Sequence, residues 1–271
     1  MRAGRFPCDC CGHWTLTAAP DGESLQLCAV CGWEDSEHWQ RGEAALDLLV
    51  AQRAFVTDGV AVALFRDDVR PPTTDEQRDA RWLPYDERAR ALLARVEATF
   101  ADVRLGKGES PTEAIVQSRR TDNYGADDGT RPPPGLWHPV GAHGWSDVTP
   151  AGVDALCCGN GGLNFMDGRQ FRFFLPVIAR QYLDEQAVAT RYHGAWLPLF
   201  HFADVDERRV RDHAGYAAPQ RQWLAEFFAF ATRPGSAASR RTVRARPERA
   251  AWRAYWRAQL PADYLDVYGD A

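Results

Sequence analysis

The spacing of apolar residues predicts a chain built mainly of amphipathic helices. Apolar positions recur at helical spacing in four segments: residues 43–55, 86–103, 218–231 and 247–260. A further helix, ending near residue 120, is indicated by Ser110, Pro111 and Glu113, which suit an N-cap, the first helical turn and a capping box.

Two β-hairpins are also predicted. In the first, residues 14–17 pair with residues 25–27, and Pro20-Asp21-Gly22 supplies the turn. In the second, apolar residues 163–166 and 170–174 flank the turn pair Asp167-Gly168. Leu175-Pro176 is then expected to open a helix that reaches about Leu183. The resulting fold class is α+β, mostly helical with short antiparallel strands.

Length and composition are those of a globular protein of about two domains. The chain has 271 residues, of which 25% are charged. We expect the domain boundary in the polar stretch after Pro71-Pro72, which gives domains at residues 1–80 and 85–271. The chain contains no apolar run of the ~20 residues that span a bilayer, and its start shows no signal-peptide h-region. The expected location is cytoplasmic, without membrane association.

The cysteine spacing carries the strongest chemical signal. Cys8-x-x-Cys11-Gly12 and Cys28-x-x-Cys31-Gly32 form two CxxC pairs, separated by sixteen residues. This pattern is typical of a four-thiolate zinc ribbon. Four thiolates leave no position for water, so the zinc is expected to be structural. Cys10 breaks the spacing and is interpreted as a spare thiol.

The cysteine segment resembles the bacterial cysteine-rich CPCC domain. The resemblance rests on residues 6–12 and 28–35, on a helix with Leu46 and Arg53, and on residues 69–72, and it covers about residues 6–80. Asp9 stands where that family has its name-giving proline, which leaves the sulfur spacing unchanged. The resemblance implies zinc binding and, because such domains occur near toxin–immunity systems, an immunity-type role.

The later part of the chain is similar to a bacterial family of unknown function. The similarity spans about residues 90–235 and rests on four segments, residues 111–120, 122–124, 145–147 and 167–176. It implies a fold but no reaction.

Signatures of catalysis are scarce. The sequence lacks the GxSxG, HExxH and GxxxxGK[ST] motifs. Two sets of residues keep an enzyme open as an alternative. They are the vicinal pair Cys157 and Cys158, and the aspartates Asp122, Asp147 and Asp167.

Charge is distributed unevenly along the chain. Residues 1–80 contain seven arginines and fourteen acidic residues, a net charge of −7, whereas residues 236–257 contain seven arginines and one glutamate, a net charge of +6. The sequence therefore favours a zinc-binding, non-enzymatic module that binds another protein, with a toxin-neutralising, immunity-type protein as the concrete version. The alternative is association with nucleic acid through the Arg-rich segment 240–257, where arginines alternate with aromatic residues.

Overall fold

The computed structural model describes residues 4–18, 25–34, 48–105, 144–149, 168–188, 213–231 and 254–261. Its main elements are α1 (Leu48–Asp58), α2 (Tyr85–Thr99), α3 (Gly168–Val188) and α4 (Ala218–Ala231). Short 3-10 turns occur at Ala63–Phe65, Thr74–Glu76 and Trp145–Asp147. None of the described helices combines the length and the apolar character that crossing a membrane requires.

The helical part of the predicted fold is confirmed. In the described ranges the β-type pairing consists of isolated antiparallel bridges, Phe6 with Leu16, Leu27 with Glu34, and Arg104 with Gly144. The antiparallel strands of the α+β class therefore stay a prediction.

The chain divides into two compact units. Unit 1 comprises Met1–Arg88, Ala229–Arg246 and Pro261–Ala271, and unit 2 comprises Ala89–Phe228 and Pro247–Leu260. The division falls inside α2 and inside α4. The domain boundary expected between residues 80 and 85 stays a prediction.

Unit 1 has a core in which cysteines pack with apolar side chains. The buried members of this core are Cys8, Cys10, Cys11, Leu16, Cys28, Val30, Cys31, Trp33, Leu48, Ala51 and Ala61. Helix α1 contributes through Ala51, and it ends at Asp58 because Gly59 adopts φ +74° and donates its N–H to the Phe55 carbonyl, 2.9 Å away. The helix predicted at residues 43–55 thus extends to Asp58, while residues 43–47 lie outside the described part.

Unit 2 is organised around Phe100, which directly follows α2. The ring of Phe100 makes edge-to-face contacts with Trp145, Tyr216 and Trp223, at centroid distances of 6.4, 5.8 and 5.2 Å. The indole N–H of Trp145 donates to the Phe100 carbonyl oxygen at 2.8 Å. This cluster ties both α4 and the Trp145–Asp147 turn to the end of α2.

The amphipathic pattern located α2 and α4 well. Helix α4 spans residues 218–231 as predicted, and α2 covers the predicted segment 86–103 except for its last four residues. Of the helix predicted at 247–260, residues 254–257 are helical, and residues 247–253 lie outside the described part. The helix predicted at 111–120 also lies outside it.

The second predicted hairpin is wrong, because its second arm is helical. Helix α3 begins at Gly168 and includes residues 170–174 as well as Pro176, so it also starts earlier than predicted. Three of these residues, Phe171, Phe173 and Phe174, are fully buried, which a helix enclosed on several sides permits and a strand with one solvent face does not. The first arm, residues 163–166, lies outside the described part.

A proline inside α3 has a specific compensation. Pro176 has no N–H, so the carbonyl of Arg172, four residues earlier, loses its helical hydrogen bond. The hydroxyl of Tyr216 donates to that carbonyl at 2.9 Å. The freed acceptor is thus paired by a side chain from outside the helix.

Candidate metal centre

The first CxxC pair folds into a tight loop closed by two backbone hydrogen bonds. The N–H of Gly12 donates to the Cys8 carbonyl, and the N–H of Cys8 donates to the His13 carbonyl, both at 2.8 Å. Gly12 has φ +74°, a conformation that residues with a Cβ rarely adopt. The glycine after the second cysteine therefore lets the chain turn away from the sulfurs.

The second CxxC pair repeats this geometry. The N–H of Gly32 donates to the Cys28 carbonyl and the N–H of Cys28 to the Trp33 carbonyl, again at 2.8 Å, and Gly32 has φ +71°. The repeated Cys-x-x-Cys-Gly pattern thus produces the same loop twice. We call residues 8–13 loop 1 and residues 28–33 loop 2.

The backbone around the loops differs from the predicted first hairpin. Leu16 bridges Phe6 across loop 1, and Leu27 bridges Glu34 across loop 2, so each loop has its own antiparallel bridge. Between the predicted strands, the described contact is made by a side chain: Gln26 Oε1 accepts from the N–H of Thr17 at 2.7 Å. The predicted turn at residues 20–22 lies outside the described part.

The two loops bring four sulfurs together. The Sγ atoms of Cys8, Cys11, Cys28 and Cys31 all lie within 4.8 Å of one another. The Sγ atoms of Cys8 and Cys31 are 3.7 Å apart, and so are those of Cys11 and Cys28. A disulfide would need about 2.05 Å. A tetrahedron with metal–sulfur distances of ~2.3 Å has sulfur–sulfur edges of about 3.8 Å. The four cysteines lie close enough to bind one metal ion.

The electrostatics of the cluster depend on how many of its four sulfurs are ionised. All four cysteines are fully buried. Burial raises the pKa of Cys8, Cys11 and Cys31, whereas hydrogen bonding to the neighbouring thiols of Cys11, Cys31 and Cys8 lowers the pKa of Cys28. The thiol groups of the other three cysteines can thus stabilise a thiolate at Cys28 by donating hydrogen bonds to it. Four thiolates in this volume need a positive ion to offset their charge.

Cys10 lies next to the four-sulfur group, where its side chain hydrogen-bonds with that of Cys31, and its role as a spare thiol stays a prediction. Its side chain is fully buried, yet its sulfur is not part of the group of four that lie within 4.8 Å of one another. Asp9 is also buried, and its carbonyl accepts from the side-chain amide of Gln52 at 2.8 Å. The segment between the first two ligand candidates therefore faces protein rather than water.

Residues that follow α1 donate hydrogen bonds to backbone carbonyls of both loops. The N–H of Ala61 donates to Cys31 O at 2.6 Å, and the N–H of Arg70 donates to Ala29 O at 2.9 Å. On loop 1, the guanidinium of Arg78 donates to Cys11 O at 3.3 Å. Three further backbone acceptors of the two loops, those of Cys11, Ala29 and Cys31, are thus paired within the protein.

The buried carboxylate of Glu76 pairs with two arginines of unit 1: Arg5, which precedes loop 1, and Arg70, which follows α1. Glu76 accepts from the guanidinium groups of Arg5 and Arg70 at 2.7–2.8 Å, and the hydrogen bonds from Arg70 hold the pKa of Glu76 well below its usual range. Its backbone carbonyl accepts from the N–H of Trp14 at 2.9 Å. Sequence reasoning missed this residue, although Thr73 and Glu76 match the capping-box pattern that the structure contains.

The other candidate residues are not brought into a site within the described part of the chain. Asp147 is exposed and its carboxylate accepts from the Gly144 N–H at 3.0 Å, a capping contact. The remaining candidates, Cys157, Cys158, Asp122 and Asp167, lie outside the described residues.

Most of the Arg-rich segment 240–257 also lies outside the described part. The described part includes two residues of this segment that bear on the prediction: Trp256, which is buried, and Arg257, which is exposed. Trp256 packs on the buried His213 at a centroid distance of 4.7 Å. This aromatic residue therefore belongs to the protein core rather than to a stacking surface.

Comparison with known families confirms both resemblances. Residues 6–76 match the cysteine-rich CPCC family, and residues 88–260 match a family of unknown function (DUF6714). Searches of curated proteins and of solved structures found no match. The second match covers more than half of the chain, so the protein belongs to the DUF6714 family and has a cysteine-rich CPCC domain ahead of the family region.

Proposed function

We propose that this protein is a zinc-binding, non-catalytic interaction protein. One Zn²⁺ is held by Cys8, Cys11, Cys28 and Cys31, and it folds an N-terminal module that binds another protein. The observation that carries the proposal is the group of four buried sulfurs within 4.8 Å of one another. The concrete form we favour is a toxin-neutralising, immunity-type protein.

The donor set supports zinc in a structural role. Four thiolates are soft ligands, and tetrahedral Cys₄ sites are typical of zinc or iron–sulfur centres. The sulfur–sulfur distances of 3.7 Å fit a single ion. Because four thiolates fill a tetrahedral coordination sphere and all four sulfurs are buried, substrate and water have no coordination position, so a catalytic metal is disfavoured.

An exposed apolar turn supports interaction with a protein. The 3-10 turn Ala63–Phe65 contains no buried residue, and Leu64 is 75% exposed. Of the exposed charged side chains close to it in sequence, Asp58, Asp67 and Asp68 are acidic and Arg66 is basic. An apolar side chain with acidic neighbours complements a partner surface that offers an apolar pocket beside basic residues.

Native mass spectrometry of the full chain, purified from its own host without chelator, tests the metal. We expect one zinc per chain. Serine at Cys8, Cys11, Cys28 or Cys31 should abolish zinc retention, whereas Cys10→Ser is the matched control and should keep it. A chain that carries no zinc, or a Cys10→Ser variant as depleted as the others, contradicts the assignment. Iron with inorganic sulfide would replace zinc in the proposal.

The same preparation tests the partner. We expect a second protein at fixed stoichiometry, and we expect Leu64→Ser to release it. Leu83→Ser is the control, because Leu83 is a partly exposed leucine of the same unit, at 40%. A zinc-loaded chain that is always alone contradicts the interaction proposal. Co-purifying nucleic acid that dissociates steeply with salt would favour the Arg-rich segment 240–257 instead.

A further inference from the structure

One side chain reaches the sulfur cluster from outside the CxxC motifs. The hydroxyl oxygen of Thr15 lies 3.0 Å from Cys28 Sγ. Thr15 follows loop 1 in the chain, whereas Cys28 opens loop 2. The contact therefore joins the two halves of the cluster without using a second cysteine.

The backbone of Thr15 is held in place from both sides. Leu16 and Phe6 exchange two backbone hydrogen bonds, at 2.8 and 3.1 Å, and the N–H of Trp14 donates to the Glu76 carbonyl at 2.9 Å. The backbone that carries the Thr15 hydroxyl is therefore fixed on both sides. Its other acceptor, the His13 carbonyl, is 3.5 Å away, which is at the limit for a hydrogen bond.

Metal binding determines the direction of this hydrogen bond. A cysteine that binds a metal does so as a thiolate, which has no proton to donate. The contact with Cys28 can then exist only if Thr15 is the donor. A hydrogen bond to an ionised acceptor is among the stronger ones, and ligand orientation by such outer contacts sets metal affinity.

We propose that Thr15 is a positioning residue for the metal: its hydroxyl donates to the Cys28 thiolate, orients that sulfur toward the ion and slows metal loss. This inference rests on the proposed metal site. It goes beyond it by assigning a role to a residue outside the cysteine motifs.

The test compares full-length variants loaded with one Zn²⁺ or one Co²⁺ per chain. Thr15→Val removes the hydroxyl with little change in shape, and Thr15→Ser keeps it. We expect Thr15→Val to transfer zinc to an excess of chromophoric chelator roughly tenfold faster than the unmodified protein. Thr15→Ser should stay within about twofold of it, because it keeps the orienting hydroxyl. The thiolate-to-cobalt absorption band should shift in Thr15→Val alone.

Thr17→Val is the matched control, since Thr17 lies two residues further along, and its hydroxyl donates to Gln26 Oε1 at 3.0 Å rather than to a sulfur. If Thr15→Val does not fold, Thr15→Ala against Thr15→Ser isolates the same hydroxyl. Equal release rates and unchanged spectra overturn the inference while leaving the metal site intact. Thr15→Ser as fast as Thr15→Val also overturns it, because release would then be fast whether or not the hydroxyl is present. Failure of the unmodified chain to bind either metal overturns the proposed function as well.

Discussion

At the residue scale, Gly12 is required twice, for its backbone conformation and for its missing side chain. Its φ is +74°, and a Cβ placed there would lie 2.3 Å from Cδ1 of Trp82. The left-handed conformation costs an alanine about 1 kcal/mol, and the overlap with a buried ring adds about 2 kcal/mol. We therefore expect Gly12→Ala to lower the free energy of unfolding of the zinc-loaded protein by about 3 kcal/mol, measured by denaturant titration.

Gly59 provides the control for this prediction. It has the same φ of +74°, but an added Cβ would meet no atom within 4 Å. Gly59→Ala should thus cost only the conformational part, about 1 kcal/mol. Equal losses for the two variants would mean that contact with Trp82 contributes nothing.

The residues of the candidate site were predictable only where the pattern is local. Cys-x-x-Cys-Gly places its ligands and its turn within five residues, and the structure builds the same loop from both copies. The contacts that Gln52, Thr15 and Glu76 make with the two loops could not be assigned in this way, although the capping box of Glu76 is itself a local pattern. Each residue reaches a partner that is 43, 13 or 63 residues away in the chain, and no spacing rule encodes such contacts.

At the element scale, the correct bounds of α4 and the wrong start of α3 both follow from predicting helices from local sequence alone. Helix α4 was predicted at its observed bounds because its own sequence favours a helix throughout. The start of α3 was mistaken for a hairpin arm because Asp167-Gly168 and Pro176 are local breakers. Tertiary contacts overrule them: Phe171, Phe173 and Phe174 are fully buried, and Tyr216 pairs the carbonyl that Pro176 leaves free.

This explanation of Pro176 makes a testable prediction about Tyr216. Tyr216→Phe removes the donor to the Arg172 carbonyl, so it should reduce the free energy of unfolding by about 1–2 kcal/mol. In a Pro176→Ala background, the alanine N–H can satisfy that carbonyl, and Tyr216→Phe should cost about half as much or less. The double-mutant cycle, measured by chemical denaturation, gives the coupling energy directly. Additive losses would show that the hydroxyl does not compensate for the proline.

At the scale of the whole molecule, the cores of the two units differ in composition. Unit 1 buries its cysteines where another protein would bury larger apolar side chains, whereas unit 2 has an aromatic core around Phe100 and α3. In zinc-finger peptides, bound metal supplies roughly 10–16 kcal/mol of folding free energy. Metal removal should therefore affect the units unequally.

Hydrogen exchange of the full chain, with zinc and after chelation, measures this difference. Chelation should raise amide exchange in residues 4–18, 25–34 and α1, because these segments share a core with the four ligand candidates. Exchange in α3 should change little, because its buried residues Phe171, Phe173, Phe174 and Leu175 belong to unit 2. Restoring zinc should restore protection, and Cys10→Ser should respond like the unmodified chain. Unchanged exchange in residues 4–34 would show that the sulfur cluster holds unit 1 together without a metal, and equal increases in both units would show that they unfold as one.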